Sequence, residues 1–176
     1  MFPLGHIGIG RQLIPARLRD RLSFGWLALG CLLPDLIDKP LWFAQRAGLL
    51  REAFWFLGGT RMVGHTLLAL AMLGLLAWLS KSPALIAVAL GTLTHAAIDL
   101  AGDIAGSPST DWRRWLLWPF FGLQFEPASY ESVYNRLITE PNIYLTGEVV
   151  GGFLLLGQYL QWRRARQAPP RDAAAR

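Results

Sequence analysis

The sequence predicts an all-α integral membrane protein: a bundle of about four membrane-embedded helices with an N-terminal half-hairpin and interfacial helices. Hydrophobic residues make up 53% of the 176 residues and charged residues 16%, whereas soluble domains carry roughly 25% charged residues. The apolar residues gather in long runs and lack the alternation of β-strands. A very apolar soluble bundle is the alternative, because no run is a long uninterrupted span.

Four apolar runs are the predicted membrane-embedded helices. Each has roughly 16–20 residues, near the length that crosses a bilayer. A shorter segment precedes the first run, and the two predict a helical hairpin, 6–19 with 23–36, that turns near Asp20. The four runs are 23–38, 62–80, 83–100 and 143–162.

Two longer connections separate these runs. Residues 39–61 are rich in aromatic and charged side chains, which is typical of an interfacial amphipathic helix. Residues 101–142 contain the stretch DWRRWLLWPFFGL and are expected to lie against the lipid headgroups. We therefore predict one domain, 1–162, followed by a disordered basic tail, 163–176.

The basic residues predict an orientation. The turn between the second and third runs carries Lys81 and defines one side, here called side A. The basic stretches 17–21 and 163–166 fall on the same side, and the opposite side is called side B. Because positive flanks face the cytoplasm, side A is predicted to be cytoplasmic and side B extracytoplasmic.

The formal charge of +5 is carried by short arginine-rich flanks and not by a solvated basic helix face, so membrane lipids are the expected partners and nucleic acid is not. The lone Cys31 excludes a disulfide framework and a cysteine metal cluster.

Polar residues embedded in the apolar runs gather on side B. Carboxylates end the first run, a histidine begins the second, and HxxxD ends the third. The hairpin brings the N-terminal histidine to the same layer. The set joins all three histidines to the most deeply embedded acids: His6, Asp35, Asp38, His65, His95, Asp99 and Glu148.

Ionisable side chains at such depth are costly and point to a functional site. On a helix, His95 and Asp99 project from one face and can reach one ion or two adjacent ions. Imidazole with carboxylate suits zinc, manganese or iron, and the size of the set favours more than one ion. HxxxD alone is a weak signal, however, and these residues could instead cap or pack helices. Asp103 reads as a loop acid, and Arg61 as a contact to headgroups or to a substrate phosphate.

The motifs LLPDLID, RMVGHTLL, THAAIDL and LWPF, with a histidine near the N-terminus, resemble the YdjM-type family of membrane-bound metal-dependent hydrolases. That family is in turn similar to zinc-dependent phospholipase C. The resemblance covers residues 3–125, and the metal ligands it implies are His6, Asp35, His65, His95 and Asp99. The sequence departs from the family pattern at Thr60, where a further histidine is usual, and at Asp38, which lies one residue farther from Asp35.

We therefore expect a membrane-bound hydrolase that cleaves a phospholipid or another amphiphilic phosphate with a metal-activated water. Zinc or manganese, in more than one ion, would be the cofactor. Asp38 or Glu148 would be the general base or an additional ligand. The alternatives are a small metal- or proton-coupled transporter and a structural membrane protein in which histidine–carboxylate pairs only fix helix packing.

Overall fold

The computed structural model describes residues 3–50, 57–106, 111–125, 127, 129–139 and 141–167, and every element in these ranges is helical. Eight α-helices and one 3₁₀ turn follow one another. They are α1 (Pro3–Leu13), α2 (Ala16–Arg19), α3 (Phe24–Arg46), the 3₁₀ turn (Val63–His65), α4 (Leu67–Ser80), α5 (Pro83–Gly106), α6 (Trp112–Leu116), α7 (Tyr130–Thr139) and α8 (Pro141–Gln167).

Helix α3 is longer than predicted and runs through two prolines. Pro34 has no backbone N–H, so the Gly30 carbonyl loses its helical donor. The Thr92 hydroxyl of α5 lies 3.2 Å from that carbonyl and 3.0 Å from the Val88 carbonyl of its own helix. It shares one hydrogen between the two, and so partly replaces the missing bond from the neighbouring helix. Helix α3 continues through Pro40 to Arg46, so residues 39–46 belong to α3. The prediction of a separate interfacial helix over 39–61 is wrong for these residues. Residues 51–56 lie outside the described ranges.

Helices α4 and α5 form the predicted hairpin, and local signals set its ends. The Thr66 hydroxyl accepts a hydrogen bond from the Ala69 amide at 3.0 Å and so caps α4. Lys81 closes α4 in a left-handed conformation with φ of 52°. The Ser82 hydroxyl then accepts from the Leu85 amide, and α5 starts at Pro83.

Two glycine seams bring helices close together. A Cβ on Gly91 of α5 would lie 2.4 Å from the Leu27 carbonyl oxygen of α3. In the second seam, a Cβ on Gly8 of α1 would lie 2.3 Å from the Gly151 carbonyl oxygen of α8. Small residues of this kind allow the close backbone approach typical of membrane helices.

The two ends of the bundle differ. At one end, Ile14, Leu27 and Ala87 form a small apolar cluster near the basic flanks of side A. At the other end, five large side chains form a second cluster beside the polar residues of side B. They are Trp42, Leu57, Met62, Trp115 and Phe125.

Among the described helices, one segment, Pro83–Ala105, is long and apolar enough to cross a membrane. Helix α4 is equally apolar, but its 14 residues extend only about 21 Å, against about 30 Å of hydrocarbon. Helix α3 interrupts its apolar run with Asp35, Asp38 and Lys39. The all-helical architecture is confirmed, whereas four membrane spans are not.

The C-terminal part differs from the prediction at its boundaries. The predicted connection 101–142 contains the end of α5 together with α6 and α7. Helix α8 continues to Gln167, five residues into the predicted tail. Residues 168–176 lie outside the described ranges.

Candidate metal centre

The five predicted metal ligands come together from four elements. Helix α1 supplies His6, α3 supplies Asp35, the 3₁₀ turn supplies His65, and α5 supplies His95 and Asp99. The three histidines are 2% exposed or less, and Asp99 is 5% exposed. Two groups within this set have ligand atoms close enough to share an ion: His6, Asp35 and His95, and His65, His95 and Asp99.

The rings of His65 and His95 face each other through their Nε2 atoms, 3.1 Å apart. On the far side of each ring, Nδ1 contacts a pure acceptor: the Asp38 carboxylate at 2.7 Å for His65 and the Cys31 carbonyl oxygen at 2.6 Å for His95. Each Nδ1 therefore carries a proton, and in the neutral rings both Nε2 lone pairs point at each other. Two facing lone pairs repel unless a proton or a metal cation lies between them.

The Asp99 carboxylate presents its two oxygens to different histidines. Its Oδ2 lies 3.5 Å from His65 Nε2 and 3.7 Å from His95 Nε2. Its Oδ1 lies 3.5 Å from His6 Nε2. A carboxylate in this position can ligate one ion with each oxygen.

His6 and Asp35 complete the cluster. The His6 ring stacks on the His95 ring, with centroids 3.9 Å apart. His6 Nδ1 is buried and has no hydrogen-bond partner among the described residues. Burial, aided by the neighbouring His95, lowers the pKa of His6 to about 2, so its imidazole is neutral, the form that binds metal. An Asp35 oxygen lies 3.8 Å from His65 Nε2, and the other binds Lys39.

Asp38 lies behind His65 and not among the converging atoms. Besides His65 Nδ1, its oxygens accept the backbone amides of Met62 at 2.6 Å and Gly64 at 2.8 Å. The carboxylate is fully buried. It therefore fixes both the 3₁₀ turn and the tautomer of His65.

Glu148 belongs to α8 and contacts the start of α1. Its Oε1 accepts the Gly5 amide at 2.8 Å and its Oε2 accepts the Leu4 amide at 3.2 Å. These residues immediately precede His6 in the sequence.

Two residues that the sequence analysis left outside the predicted ligand set belong to this site. Asp103 is part of α5 and is 5% exposed, so its interpretation as a loop acid is wrong. Arg61 donates through Nε to Asp99 Oδ2 at 2.7 Å and through Nη1 to both Asp103 oxygens at 2.6 Å. Trp115 donates to Asp103 at 3.2 Å. The i,i+4 spacing of Asp99 and Asp103 is the signal that could have linked them.

Arg61 is a permanent charge in this arrangement. Burial lowers the pKa of its guanidinium, but Asp99 and Asp103 together raise it above the ordinary value. Arg61 therefore stays protonated and holds Asp99 Oδ2 against the histidines.

The described residues form an all-helical fold in which one helix is long and apolar enough to cross a membrane, and a buried histidine–aspartate cluster could hold metal ions. The chain belongs to the YdjM inner membrane protein family, whose family model matches residues 1–166. This match confirms the resemblance to the YdjM family noted in the sequence and the location in the inner membrane. No curated protein and no solved structure matches the chain.

Proposed function

We propose that this protein is a membrane-bound metal-dependent hydrolase of phosphoesters, acting on a phospholipid or another amphiphilic phosphate. Zinc or manganese would be the cofactor, in more than one ion, bound by His6, Asp35, His65, His95 and Asp99. The proposal extends the resemblance to zinc-dependent phospholipase C drawn from the sequence motifs.

The observation that carries the proposal is the pair of Nε2 atoms 3.1 Å apart, each with its Nδ1 held by an acceptor. Metal-binding histidines characteristically donate their other nitrogen to a carboxylate or a backbone carbonyl, which orients the ring. Both kinds of partner are present here, in Asp38 and Cys31. A packing role would require a proton between the two Nε2 atoms in place of a metal ion.

The distribution of ligand atoms favours two ions. His65, His95 and Asp99 Oδ2 surround one position, and His6 with Asp99 Oδ1 flanks a second. Asp35 is close to both positions. One of its oxygens lies 3.8 Å from His65 Nε2, and its ligand atom also lies within 4.8 Å of those of His6 and His95. Carboxylates that bridge two ions are common in hydrolytic sites with paired metals.

The formal charges of the cluster favour an anionic substrate. Four carboxylates face two basic groups, so one divalent cation neutralises the cluster when the histidines are neutral, and a second leaves two positive charges. A hydroxide and a singly charged phosphodiester would balance them. The charged residues are Asp35, Asp38, Asp99, Asp103, Lys39 and Arg61.

The residues of the chain would divide the work between them. Bound metal ions would supply Lewis acidity and a water of lowered pKa. Asp38 would hold His65 in the ligating tautomer, and Arg61 would hold Asp99. The side chains of Lys39, Arg61 and Asp35, which are 46%, 20% and 18% exposed, are the members of the cluster that reach the surface and would meet the substrate first.

Metal content and hydrolysis, measured together, test this proposal. Wild type, His95→Ala and the control Asp111→Asn are purified identically in detergent, because Asp111 is exposed and outside the cluster. We expect about two ions per chain in wild type and control, at most one in His95→Ala, and a loss of phosphodiester hydrolysis of at least about 100-fold, since removing a ligand exceeds the 10–100-fold effect of losing its outer partner.

Three outcomes would contradict the proposal. A folded wild type without metal would indicate that the cluster serves only helix packing. If wild type binds two ions but hydrolyses no phosphodiester or phospholipid, the metal site would be supported and the hydrolase function excluded. Metal uptake into sealed vesicles without hydrolysis would favour the transporter.

A further inference from the structure

We propose that Glu148 is a positioning residue that seats His6 in the metal centre, and that occupancy of the second ion position therefore depends on the docking of α8. This inference rests on the proposed two-ion site and adds a role for a helix that contributes no ligand of its own among the described residues.

The contact is made at the first turn of α1. The amides of Leu4 and Gly5 belong to the turn whose N–H groups have no partner within the helix. Glu148 accepts one with each carboxylate oxygen, at 3.2 and 2.8 Å. Its negative charge also matches the positive end of the helix dipole. His6 follows directly, so the position of its backbone is set by this contact.

Helix α8 reaches α1 through a glycine seam that runs alongside Glu148. A Cβ on Gly5 would lie 3.0 Å from the Gly147 carbonyl oxygen, and one on Gly8 would lie 2.3 Å from that of Gly151. The pairs 5 with 147 and 8 with 151 rise together, so the two helices run parallel. The seam leaves little freedom for α1 to slide, and Glu148 fixes the end that carries His6.

The three histidines are held in different ways. His65 and His95 each have Nδ1 bound to an acceptor within the α3–α5 core. His6 Nδ1 has no such partner in the described part of the chain. The orientation of His6 is set instead by its stacking on His95 and by the placement of α1. The ion near His65 and His95 is therefore held by pre-oriented ligands, and the ion near His6 by a ligand that α8 must seat.

Ion stoichiometry tests this role directly. Glu148→Ala removes both contacts to α1, whereas Glu148→Gln keeps one oxygen acceptor for the Gly5 amide. The control is Val149→Ala, since Val149 is the next residue of α8 and is 55% exposed. We expect two ions per chain in wild type, Glu148→Gln and Val149→Ala, and one in Glu148→Ala, with the second ion restored at about 10–100-fold higher free metal.

Hydrolysis measured on the same samples separates positioning from catalysis. A positioning role predicts that Glu148→Gln remains active and that excess metal restores Glu148→Ala. A general base, the role that the sequence suggested for Glu148, predicts that Glu148→Gln keeps both ions and loses hydrolysis, and this result would overturn the inference. Two ions of wild-type affinity in folded Glu148→Ala would overturn it as well.

A folding defect is recognised by helical circular dichroism. Should Glu148→Ala lose its helix signal, Glu148→Asp replaces it, because its shorter side chain reaches the α1 amides less well, and the same loss of one ion is expected. Fewer than two ions in wild type would count against the proposed two-ion site itself, and one ion retained unchanged in every variant would count against both.

Discussion

At the scale of single residues, Asp38 links the local fold to the candidate metal centre. Its carboxylate binds the amides of Met62 and Gly64 and the Nδ1 of His65 at once. The side chain that orients the imidazole therefore also shapes the 3₁₀ turn that presents it.

Asp38→Asn tests this link. An amide has one oxygen acceptor, so it cannot satisfy two backbone amides and His65 together, and it can present an N–H where His65 needs an acceptor. We expect metal affinity to fall about 10–100-fold, as for other partners of metal-bound histidines. Competition with a chromogenic chelator measures the affinity, with Asp111→Asn as the exposed control. Unchanged affinity would mean that Asp38 serves the turn alone.

The residues that could be predicted are those whose chemistry conflicts with their surroundings. His95, Asp99, His65 and Asp35 stand out because they interrupt apolar runs, and the structure brings them together with His6. The role of Arg61 could not be predicted. It follows a connection whose path no periodicity defines, and its partners Asp99 and Asp103 are identified only by the packing of that connection on α5.

At the scale of helices, the contact of α3 with α5 determines the distance between the two histidines of the core. Gly30 and Gly91 lie where the two backbones approach closely, and the Thr92 hydroxyl next to Gly91 also reaches the carbonyl freed by Pro34. His95 lies one turn farther along α5. Any widening of this seam moves His95 relative to the rest of the site.

Gly91→Ala is expected to destabilise the protein. Its Cβ would lie 2.4 Å from the Leu27 carbonyl oxygen and 2.7 Å from the Cys31 nitrogen, so α5 must shift away from α3. Overpacking of this kind costs about 1–3 kcal/mol. The control is Gly74→Ala in α4, where an added Cβ meets no atom within 4 Å. Thermal unfolding in detergent measures both, and equal midpoints for the two variants would show that the seam tolerates a methyl group.

Helix boundaries were predictable where local chemistry sets them. The turn between α4 and α5 follows from a serine cap and a proline, both visible in the sequence. The predicted run 23–38 already passes Pro34, where a hydroxyl from another helix, far along the chain, reaches the freed carbonyl. The continuation of α3 past Pro40 to Arg46 was not predicted, because a proline usually ends or kinks a helix.

At the scale of the whole molecule, the polar cluster and the basic flanks lie at opposite ends of the bundle. The side A cluster of Ile14, Leu27 and Ala87 is next to the arginines that precede α3. The centre lies near the other end of α5, where α6 packs on the 3₁₀ turn. The arginine distribution predicts that the basic end is cytoplasmic.

Single cysteines test this orientation. Arg21→Cys marks side A and Asp111→Cys marks side B, both at exposed positions, while Cys31 is fully buried. We expect a membrane-impermeant maleimide to label Asp111→Cys in intact spheroplasts and Arg21→Cys only after permeabilisation. The reverse pattern would place the metal centre on the cytoplasmic side.

The number of membrane spans is where composition is least informative. Four apolar runs are present, but Pro83–Ala105 is the one described segment with both the length and the composition to cross a bilayer. The others are shortened by caps or carry the polar residues of the site. The polar residues of the candidate metal centre therefore lower the hydropathy of the helices that carry them, and these helices are harder to recognise as membrane spans.

The pairing of α1 with α8 has a consequence for synthesis of the protein. Helix α1, which carries His6, leaves the ribosome before α8, the helix that carries Glu148. In a chain that ends before α8, the residues of the α3–α5 core, with His65, His95 and Asp99, are already present, while α1 has no partner for its seam. If α8 seats His6 as proposed, a second ion position would be completed only after translation has passed α8, and a truncated or stalled product would lack it.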